Sequence, residues 1–401
     1  MKINLHPFVL ASILLVVSVL SCNNQNSAPK KNDKADSSAA AKPQGAATVT
    51  FTDNEYNKAA RYIAGLKQLS ENEYATWEAK PEWVSYSKRI DSLWESLETK
   101  RFTVMRKFYN DEFGSSRNEE RPVFYPFSGP DWLNISLAFP NGSQYVMNGL
   151  EPVGNIPEPA RLTGNGELSR SLNDLLKGLR TLNERGYFIT SYMSGDLTRN
   201  KLNGVLPIMY FLLARTHCNI MNVEYVGLDS TGAEHKLASV SDESSKKYIR
   251  GAKIVFQNDS TKKQGTIYYF TGDVSNTGFK KNSGYFNFVK NNFKETNTYM
   301  KAASYLLYDP TMTMMNELVL SQTHTLLTDD SGMKYANVNN GRWDIKLYGK
   351  YTGPTKDFPW TKQQELIAYY AEHAAEIKAI PFGTGYHWKE GESNLMFCIK
   401  K

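Results

Sequence analysis

The stretch RPVFYPFSGPDWLN, residues 121–134, most constrains the fold, because an apolar strand ends in a polar turn and a second apolar segment follows at once. Residues 123–127 predict a strand, residues 132–139 a helix and residues 144–150 a second strand. This order is compatible with a βαβ unit, whose two strands are parallel and whose crossover is right-handed. The sequence therefore predicts an α/β or α+β fold with a mixed, partly parallel sheet flanked by helices. A Rossmann-like sheet is one form of it.

The rest of the chain extends this prediction in both directions. Residues 49–120 repeat apolar side chains at helical spacing and predict an N-terminal helical segment, and residues 121–401 form the α/β body. Within the body, four strands separated by Gly, Asn, Asp and Ser predict a meander over residues 220–271. Helices and strands then alternate, and a strand at residues 386–388 is expected to form a hairpin with residues 394–399.

The N-terminus carries an apolar run of thirteen residues, Phe8–Leu20, after a short segment with Lys2. The run is shorter than the roughly 20 residues that span a bilayer, and it is typical of a secretory signal peptide. The residues Val19-Leu20-Ser21-Cys22 that follow resemble the lipobox of bacterial lipoproteins. The resemblance implies that residues 1–21 are a lipoprotein signal peptide and that Cys22 is lipidated. The alternative is an ordinary cleavage site beside a chance cysteine.

Residues 22–48 contain no aromatic residue and are rich in Ala, Ser, Asn and Lys, which predicts a disordered tether. Asn23 stands where an Asp retains some lipoproteins in the inner membrane, and this resemblance favours the outer membrane. We therefore expect a protein of the cell envelope, anchored by its N-terminal lipid to the periplasmic face of the outer membrane.

Charge and residue spacing argue against several classes of site. The formal charge of +6 is spread along the chain without a dense basic stripe, so no nucleic-acid partner is expected. The six histidines show no metal-ligand spacing, so neither a metal nor a cofactor is predicted. Cys218 and Cys398 either pair in the oxidising periplasm or act as buried apolar side chains, and the sequence leaves both open.

Four polar turns end apolar strands, and they are the candidate ligand site: FYPFSGPD, NGLEPVG, YYFTGDVSN and TLLTDDSG. If the strands are parallel, their carboxyl ends share one edge, where open α/β sheets bind ligands. The predicted crevice residues are Ser128, Asp131, Glu151, Asp273, Asp329 and Asp330. The alternative is that Asp, Ser and Gly are present only because they stabilise turns.

Several chemistries fit these residues, and no catalytic residue is assigned. Ser128 as a nucleophile would need His324 or His387 as its base, and its surroundings lack the G-x-S-x-G pattern. A carboxylate pair like that of glycosidases could come from the acidic turns. Tyr386 and Trp388, near the C-terminus, could stack on a sugar.

Two resemblances apply to the body. The strand, turn, helix and strand with Glu151 at the second strand's end resemble the nucleotide half-site of class I methyltransferases, which implies that Glu151 binds ribose hydroxyls. The first turn departs from that family, because it has the single Gly129 and Pro130 has no N–H, and the periplasm lacks the usual methyl donor. The pieces FYPFSGPDWL, GLEPVG, KAASYLLYD, TDDSGMKY and PFGTGYHW also resemble an uncharacterised family of secreted or lipid-anchored bacterial proteins.

Two functions follow as hypotheses. The first is a binding or interaction module that presents the crevice to a small polar ligand, a glycan or an envelope protein. The second is an enzyme that uses the same crevice, either a carboxylate-based hydrolase or a transferase on a methyltransferase-like sheet. An enzyme needs several of the candidate residues within reach of one reacting atom, whereas a binding module needs exposed aromatic side chains.

Overall fold

A ten-stranded mixed sheet lies at the centre of the computed structural model, which describes residues 51–158, 167–185, 202–389 and 391–401. The predicted signal peptide, lipidation site and tether, residues 1–48, lie outside the described residues. The strands are β1 (Val123–Tyr125), β2 (Gln144–Gly149), β3 (Cys218–Leu228), β4 (Glu234–Leu237), β5 (Ile249–Asn258), β6 (Gln264–Thr271), β7 (Thr296–Met300), β8 (Thr323–Thr328), β9 (Trp343–Gly349) and β10 (Asn394–Lys400).

Helices cover both faces of the sheet. They are α1 (Glu55–Ile63), α2 (Tyr74–Glu78), α3 (Pro81–Leu97), α4 (Thr103–Asn118), α5 (Trp132–Ala138), α6 (Glu167–Arg185), α7 (Leu206–Arg215), α8 (Asn276–Lys281), α9 (Gly284–Asn292), α10 (Thr313–Gln322), α11 (Tyr335–Val338) and α12 (Gln364–Glu372). A π-helical turn, Glu98–Phe102, joins α3 to α4, and a 3-10 helix, Ala302–Tyr308, follows β7. The predicted mixed, partly parallel sheet flanked by helices is confirmed.

The strand order across the sheet is β4-β3-β5-β6-β2-β1-β7-β8-β10-β9. The neighbours from β6 to β8 pair in parallel, while β3, β4 and β5 add an antiparallel extension beside β6. Counted along the chain, the five parallel strands stand in the order 3-2-1-4-5, which is the order of the doubly wound Rossmann sheet. Strands β2 and β6 are added on one side of β1, and strands β7 and β8 are added on the other. The direction in which the chain adds strands therefore reverses between β1 and β7.

Successive side chains of the central strands point to opposite faces of the sheet, and helices cover both faces. In β1, Val123 and Tyr125 belong to one hydrophobic cluster and Phe124 to the other. Because successive side chains of a strand point to opposite faces, a parallel strand buried on both sides consists almost wholly of apolar residues. The first cluster contains side chains of α1, α3, α4, α5 and α7, and the second contains those of α8 to α12.

The N-terminal helices pack into the same core as the sheet. Helix α3 begins at Pro81, whose ring fixes a φ suited to the first helical position. Trp83 Nε1 donates to the Tyr62 carbonyl at 3.1 Å, and Asn54 Nδ2 donates to the Ile220 carbonyl of β3 at 3.0 Å. These bonds join α1 to α3 and to the antiparallel extension.

The structure corrects one predicted strand and decides whether two cysteines pair. The predicted strand at residues 386–388 is wrong, because only an isolated bridge joins Thr384 to His387, and β10 pairs instead with β8 and β9. Cys218 and Cys398 are both free and buried, and they lie in different hydrophobic clusters. The disulfide left open by the sequence is therefore absent from this structure.

Candidate functional site

The carboxyl ends of the five parallel strands meet at one edge of the sheet, and β1 and β7 flank the point where the chain reverses its direction of winding. Open α/β sheets bind ligands outside this switch point, because loops leaving in opposite directions open a crevice between them. We call the turns at residues 127–131, together with Glu151, Lys301, Asp329 and Asp330, the switch-point crevice.

The turn after β1 is held to the end of β2 by three hydrogen bonds to Asn148. The Phe127 amide donates to Asn148 Oδ1 at 3.0 Å, and Ser128 Oγ and the Gly129 amide donate to the Asn148 carbonyl at 3.2 and 3.1 Å. Phe127 has a φ of 58°, which is rare for a bulky side chain. Such strain is found where the surrounding structure fixes a backbone for a functional purpose.

Glu151 follows the end of β2, and its side chain lies next to the turn after β1. The residue is buried, and a Cβ added to Gly129 would be 3.6 Å from Glu151 Oε2. Tyr269 Oη and Thr271 Oγ1 of β6 donate to the Glu151 carbonyl at 2.9 and 2.8 Å, which fixes the residue's backbone. A Cβ at Gly129 would make an ordinary van der Waals contact with the carboxylate, whereas a Cβ at Gly149 would overlap Oε2, so the position of the carboxylate depends on Gly149 having no side chain.

Asp131 and Lys301 form an ion pair across the switch point itself. Lys301 Nζ lies 3.1 Å from Asp131 Oδ2, and each side chain is 2 % exposed. Tyr125 Oη donates to the same carboxylate at 2.9 Å, and its Oδ1 accepts the Asn134 amide at the start of α5. Burial lowers the pKa of Lys301, and the nearby positive charge of Arg101 also lowers it, while Asp131 acts in the opposite direction.

Asp329 follows β8 on the other side of Lys301. Its Oδ1 accepts the Ser331 hydroxyl at 2.5 Å and the Ser331 amide at 3.0 Å. Gly385, with a φ of 63°, lies directly on this carboxylate, and any Cβ at that position would overlap it. The negative charge of Asp329 also acts on Lys301, where it raises the pKa.

Asp330 occupies a different environment from its neighbour. Burial raises the pKa of its carboxyl well above the usual range, and the charge of Asp329 raises it further. The Asn394 amide, turned so that its nitrogen faces Asp330, donates to Oδ1 at 2.5 Å. His387 Nε2 lies 4.0 Å from Oδ2, and burial lowers the pKa of this imidazole. Both groups therefore favour their neutral forms.

The structure brings five of the six predicted crevice residues to the switch-point crevice and separates the sixth. Asp273 lies at the same edge after β6, but it is exposed and its Oδ1 accepts the Ser275 amide at 2.9 Å, as expected of a turn residue. Ser128 is buried and bonded to backbone. His324 pairs with Glu295 at 3.3 Å near the start of β8, at the opposite edge from Ser128.

Two cations of this region were not predicted from the sequence. Lys301 is the single charged residue in the apolar run YMKAASYLLY, and that interruption at a strand end was the available signal. Arg101 comes from the π-helical turn, and the negative charge of Asp131 acts on it. In the described parts of the chain, no group of three or more His, Cys, Asp or Glu residues is placed to hold a metal ion.

Comparison with models of known protein families and with curated proteins finds no match for this chain. The chemistry of the site is therefore derived from its geometry. The Glu151 carboxylate is 4 % exposed and lies beside Gly129, which has no side chain. The ion pair at the switch point is too buried to touch a ligand and instead holds β1 and β7 together.

Proposed function

We propose that the chain is a lipid-anchored protein of the cell envelope whose α/β body binds a small polar ligand at the switch-point crevice. The observation that carries the proposal is the Glu151 carboxylate lying on Gly129 at the carboxyl ends of two adjacent parallel strands. A carboxylate in this position accepts hydrogen bonds from ligand hydroxyls, which is the role implied by the resemblance to nucleotide half-sites. Strain at Phe127 supports the same location, since strained backbone clusters at ligand sites.

Calorimetry on the purified full-length protein tests this proposal with nucleosides, nucleotides and saccharides as probes. We expect one class to bind, and Glu151→Gln to weaken binding about 10- to 150-fold because a hydrogen bond to a charged group contributes about 1.5–3 kcal/mol. Asp273→Asn is the matched control, since it removes an acid from the same edge outside the crevice. Equal affinity of wild type and Glu151→Gln for every probe, or no binding at all, would refute the proposal.

An enzyme is the second candidate, and the unequal surroundings of Asp329 and Asp330 favour it. Hydrolases that use two carboxyl groups need one protonated and one ionised, and different environments produce that difference. Asp330, next to a second carboxylate, has a pKa raised by burial. The transferase alternative is supported by Glu151 in the position that binds ribose hydroxyls in methyltransferases. It is weakened by Pro130, because proline has no N–H with which the turn could bind a ligand.

Release of nitrophenol from a panel of aryl glycosides and aryl esters tests the hydrolase. We expect turnover by the wild type, and its loss in Asp330→Asn, which keeps the shape of the protonated acid but cannot donate its proton. Turnover that persists in both Asp330→Asn and Asp329→Asn would exclude this pair as the source of the activity.

Lipid anchoring rests on the sequence around Cys22 and on its resemblance to the lipobox. In the described part of the chain, no helix has the length and hydrophobicity needed to cross a membrane. Mass spectrometry of the membrane fraction should find an acylated N-terminal Cys22, and Cys22→Ala should move the protein to the soluble fraction. A wild-type protein found in the soluble fraction would refute the anchor, and fractionation of inner from outer membranes tests the predicted location.

A further inference from the structure

Four aromatic side chains from three separate segments of the chain gather beside the switch-point crevice. We call Tyr305, Phe358, Trp360 and Tyr386 the aromatic ledge. Tyr305 and Phe358 stack with ring centroids 3.9 Å apart, Phe358 contacts Tyr386 at 4.7 Å, and Phe358 meets Trp360 edge-on at 5.5 Å. Trp360 is 62 % exposed, and the other three rings are partly exposed. Single exposed apolar residues are normal on a protein surface, whereas an exposed ring packed against a group of three half-buried rings forms a continuous apolar patch, which is typical of a binding surface.

The loop that carries Tyr386 is fixed to the acidic part of the crevice. Gly385 lies on the Asp329 carboxylate, as described above, and the Thr384 amide donates to Ser393 Oγ at 2.8 Å. Ser393 Oγ in turn donates to the His387 carbonyl. Because these contacts hold both ends of the loop, the ring of Tyr386 is presented in one position. Preorganisation of this kind reduces the entropy lost when a ligand binds.

Polar groups lie next to the rings. His387 follows Tyr386 directly, and its Nε2 is a buried atom without a hydrogen-bond partner among the described residues, a deficit that a ligand hydroxyl entering beside the ring would satisfy. The nearest acid is Asp330, 4.0 Å away, and Tyr308 Oη donates to the Asp330 carbonyl from the same 3-10 helix that carries Tyr305. Ring faces and directional donors or acceptors therefore stand side by side over a short distance.

A ligand that satisfies both features needs an apolar face and several hydroxyl groups on its rim, which describes a pyranose ring. A nucleotide would also stack, but the side chains next to the rings, His387 and Asp330, are groups that bond to hydroxyls, and neither is a fixed cation for a phosphate. Arg101 reaches the same loop at the Gly383 carbonyl, 3.4 Å from Nη2 and three residues before Tyr386, so binding of a phosphate-bearing probe at the ledge is the outcome that competes with the saccharide in the test below.

We infer that the aromatic ledge is a saccharide-binding subsite, in which a sugar ring stacks on Trp360 and Tyr386 and its hydroxyls bond to His387 and Asp330. The inference rests on the proposed binding function and names the class of its ligand. The saccharide occupies the part of the edge that follows β8, whereas Glu151 lies at the part of the same edge that follows β2.

A glycan array probed with the purified full-length protein, followed by calorimetry with the best oligosaccharide, tests the inference. We expect Trp360→Ala and Tyr386→Ala each to weaken saccharide binding about tenfold, as truncation of an aromatic anchor does. Trp360→Phe keeps a ring face and should retain most of the affinity. Leu69→Ala is the matched control, since Leu69 is a large exposed apolar residue on the loop between α1 and α2. Thermal melts show whether each variant folds.

The outcomes separate this inference from the function on which it rests. If a nucleoside binds, and Glu151→Gln weakens its binding while Trp360→Ala does not, the crevice is a binding site and the saccharide subsite is refuted. If a saccharide binds but neither Trp360→Ala nor Tyr386→Ala weakens it, the ledge is not its site. If no probe of any class binds, both the proposed function and the subsite are refuted.

Discussion

Replacing Lys301 by Met tests the central claim about the switch point, that a buried ion pair joins β1 to β7. Met keeps the length of the side chain but removes the ammonium, so Asp131 would hold its charge at 2 % exposure without its cation. Removing one partner of a buried pair typically costs about 3–5 kcal/mol. We expect Lys301→Met to lower the free energy of unfolding by about that amount at pH 7, measured by urea denaturation followed by circular dichroism.

The double variant Lys301→Met/Asp131→Asn separates the charge from the packing. The two oxygens of the Asp131 carboxylate accept from different groups, Oδ1 from the Asn134 amide at 3.2 Å and Oδ2 from Tyr125 Oη at 2.9 Å. Asn at position 131 carries no charge, its carbonyl oxygen in the place of Oδ1 still accepts from the Asn134 amide, and its NH2 in the place of Oδ2 donates to the Tyr125 hydroxyl oxygen, which turns its own proton away. Buried pairs replaced on both sides are often nearly neutral in stability. We therefore expect the double variant to unfold within about 2 kcal/mol of the wild type.

The control is the exposed ion pair of Lys246 with Glu243, whose side chains are 61 % and 83 % exposed. Lys246→Met should change the free energy of unfolding by about 0.5 kcal/mol or less. If Lys301→Met and the double variant are equally unstable, the loss comes from packing and the reasoning from charge fails. If Lys301→Met is as stable as the wild type, the ion pair does not hold the two strands together.

Three further predictions concern the acids, the loop and the thiols. The pKa of Asp330 in the folded protein is raised above its unfolded value of about 3.9. The free energy of unfolding therefore falls as pH rises from about 4 towards the folded pKa, because the folded protein holds this proton more tightly than the unfolded chain. The melting temperature of Asp330→Asn should exceed that of the wild type at pH 7.5 but not at pH 3. Gly385→Ala should lower stability by about 2 kcal/mol or more because its Cβ would overlap Asp329, whereas Gly391→Ala, also at positive φ but in open space, should cost about 1 kcal/mol. The chain has three cysteines, so Ellman's reagent should detect two thiols in denaturant if Cys22 is lipidated and three if it is not. Native protein should react slowly, since burial raises the pKa of both other thiols.

Local patterns were sufficient to predict much of the sheet. The strand, helix and strand at residues 123–150 and the meander over residues 220–271 correspond to β1, α5 and β2 and to β3 to β6. Each depends on alternation within a few residues and on turn residues between strands, and both signals are present in the sequence itself. The order departs from a simple meander at β4, which pairs with β3 at the edge of the sheet, so that β5 pairs with β3 instead of with β4 before β6 pairs with β5.

Strand order and partner choice could not be predicted, because they depend on pairing between distant segments. The sequence does not indicate that β7 lies beside β1, or that β10 inserts between β8 and β9. Lys301 was missed for the same reason, since its partner Asp131 is remote in the chain and the two meet only when β1 and β7 pair. The residues around Tyr386 suggested a strand by composition, but tethering to Ser393 holds them as a loop.

The position of Lys301 also connects the two halves of this edge of the sheet. Strand β7 lies between β1 and β8, so Lys301 at its end stands between Asp131, which it contacts, and Asp329, whose charge acts on its pKa. At 2 % exposure the ammonium is out of reach of a ligand, which makes it a positioning group and not a nucleophile. Because Asp131 begins α5 and Asp329 supports the loop of Tyr386, one buried cation fixes the turn near Glu151 and the loop of the aromatic ledge with respect to each other.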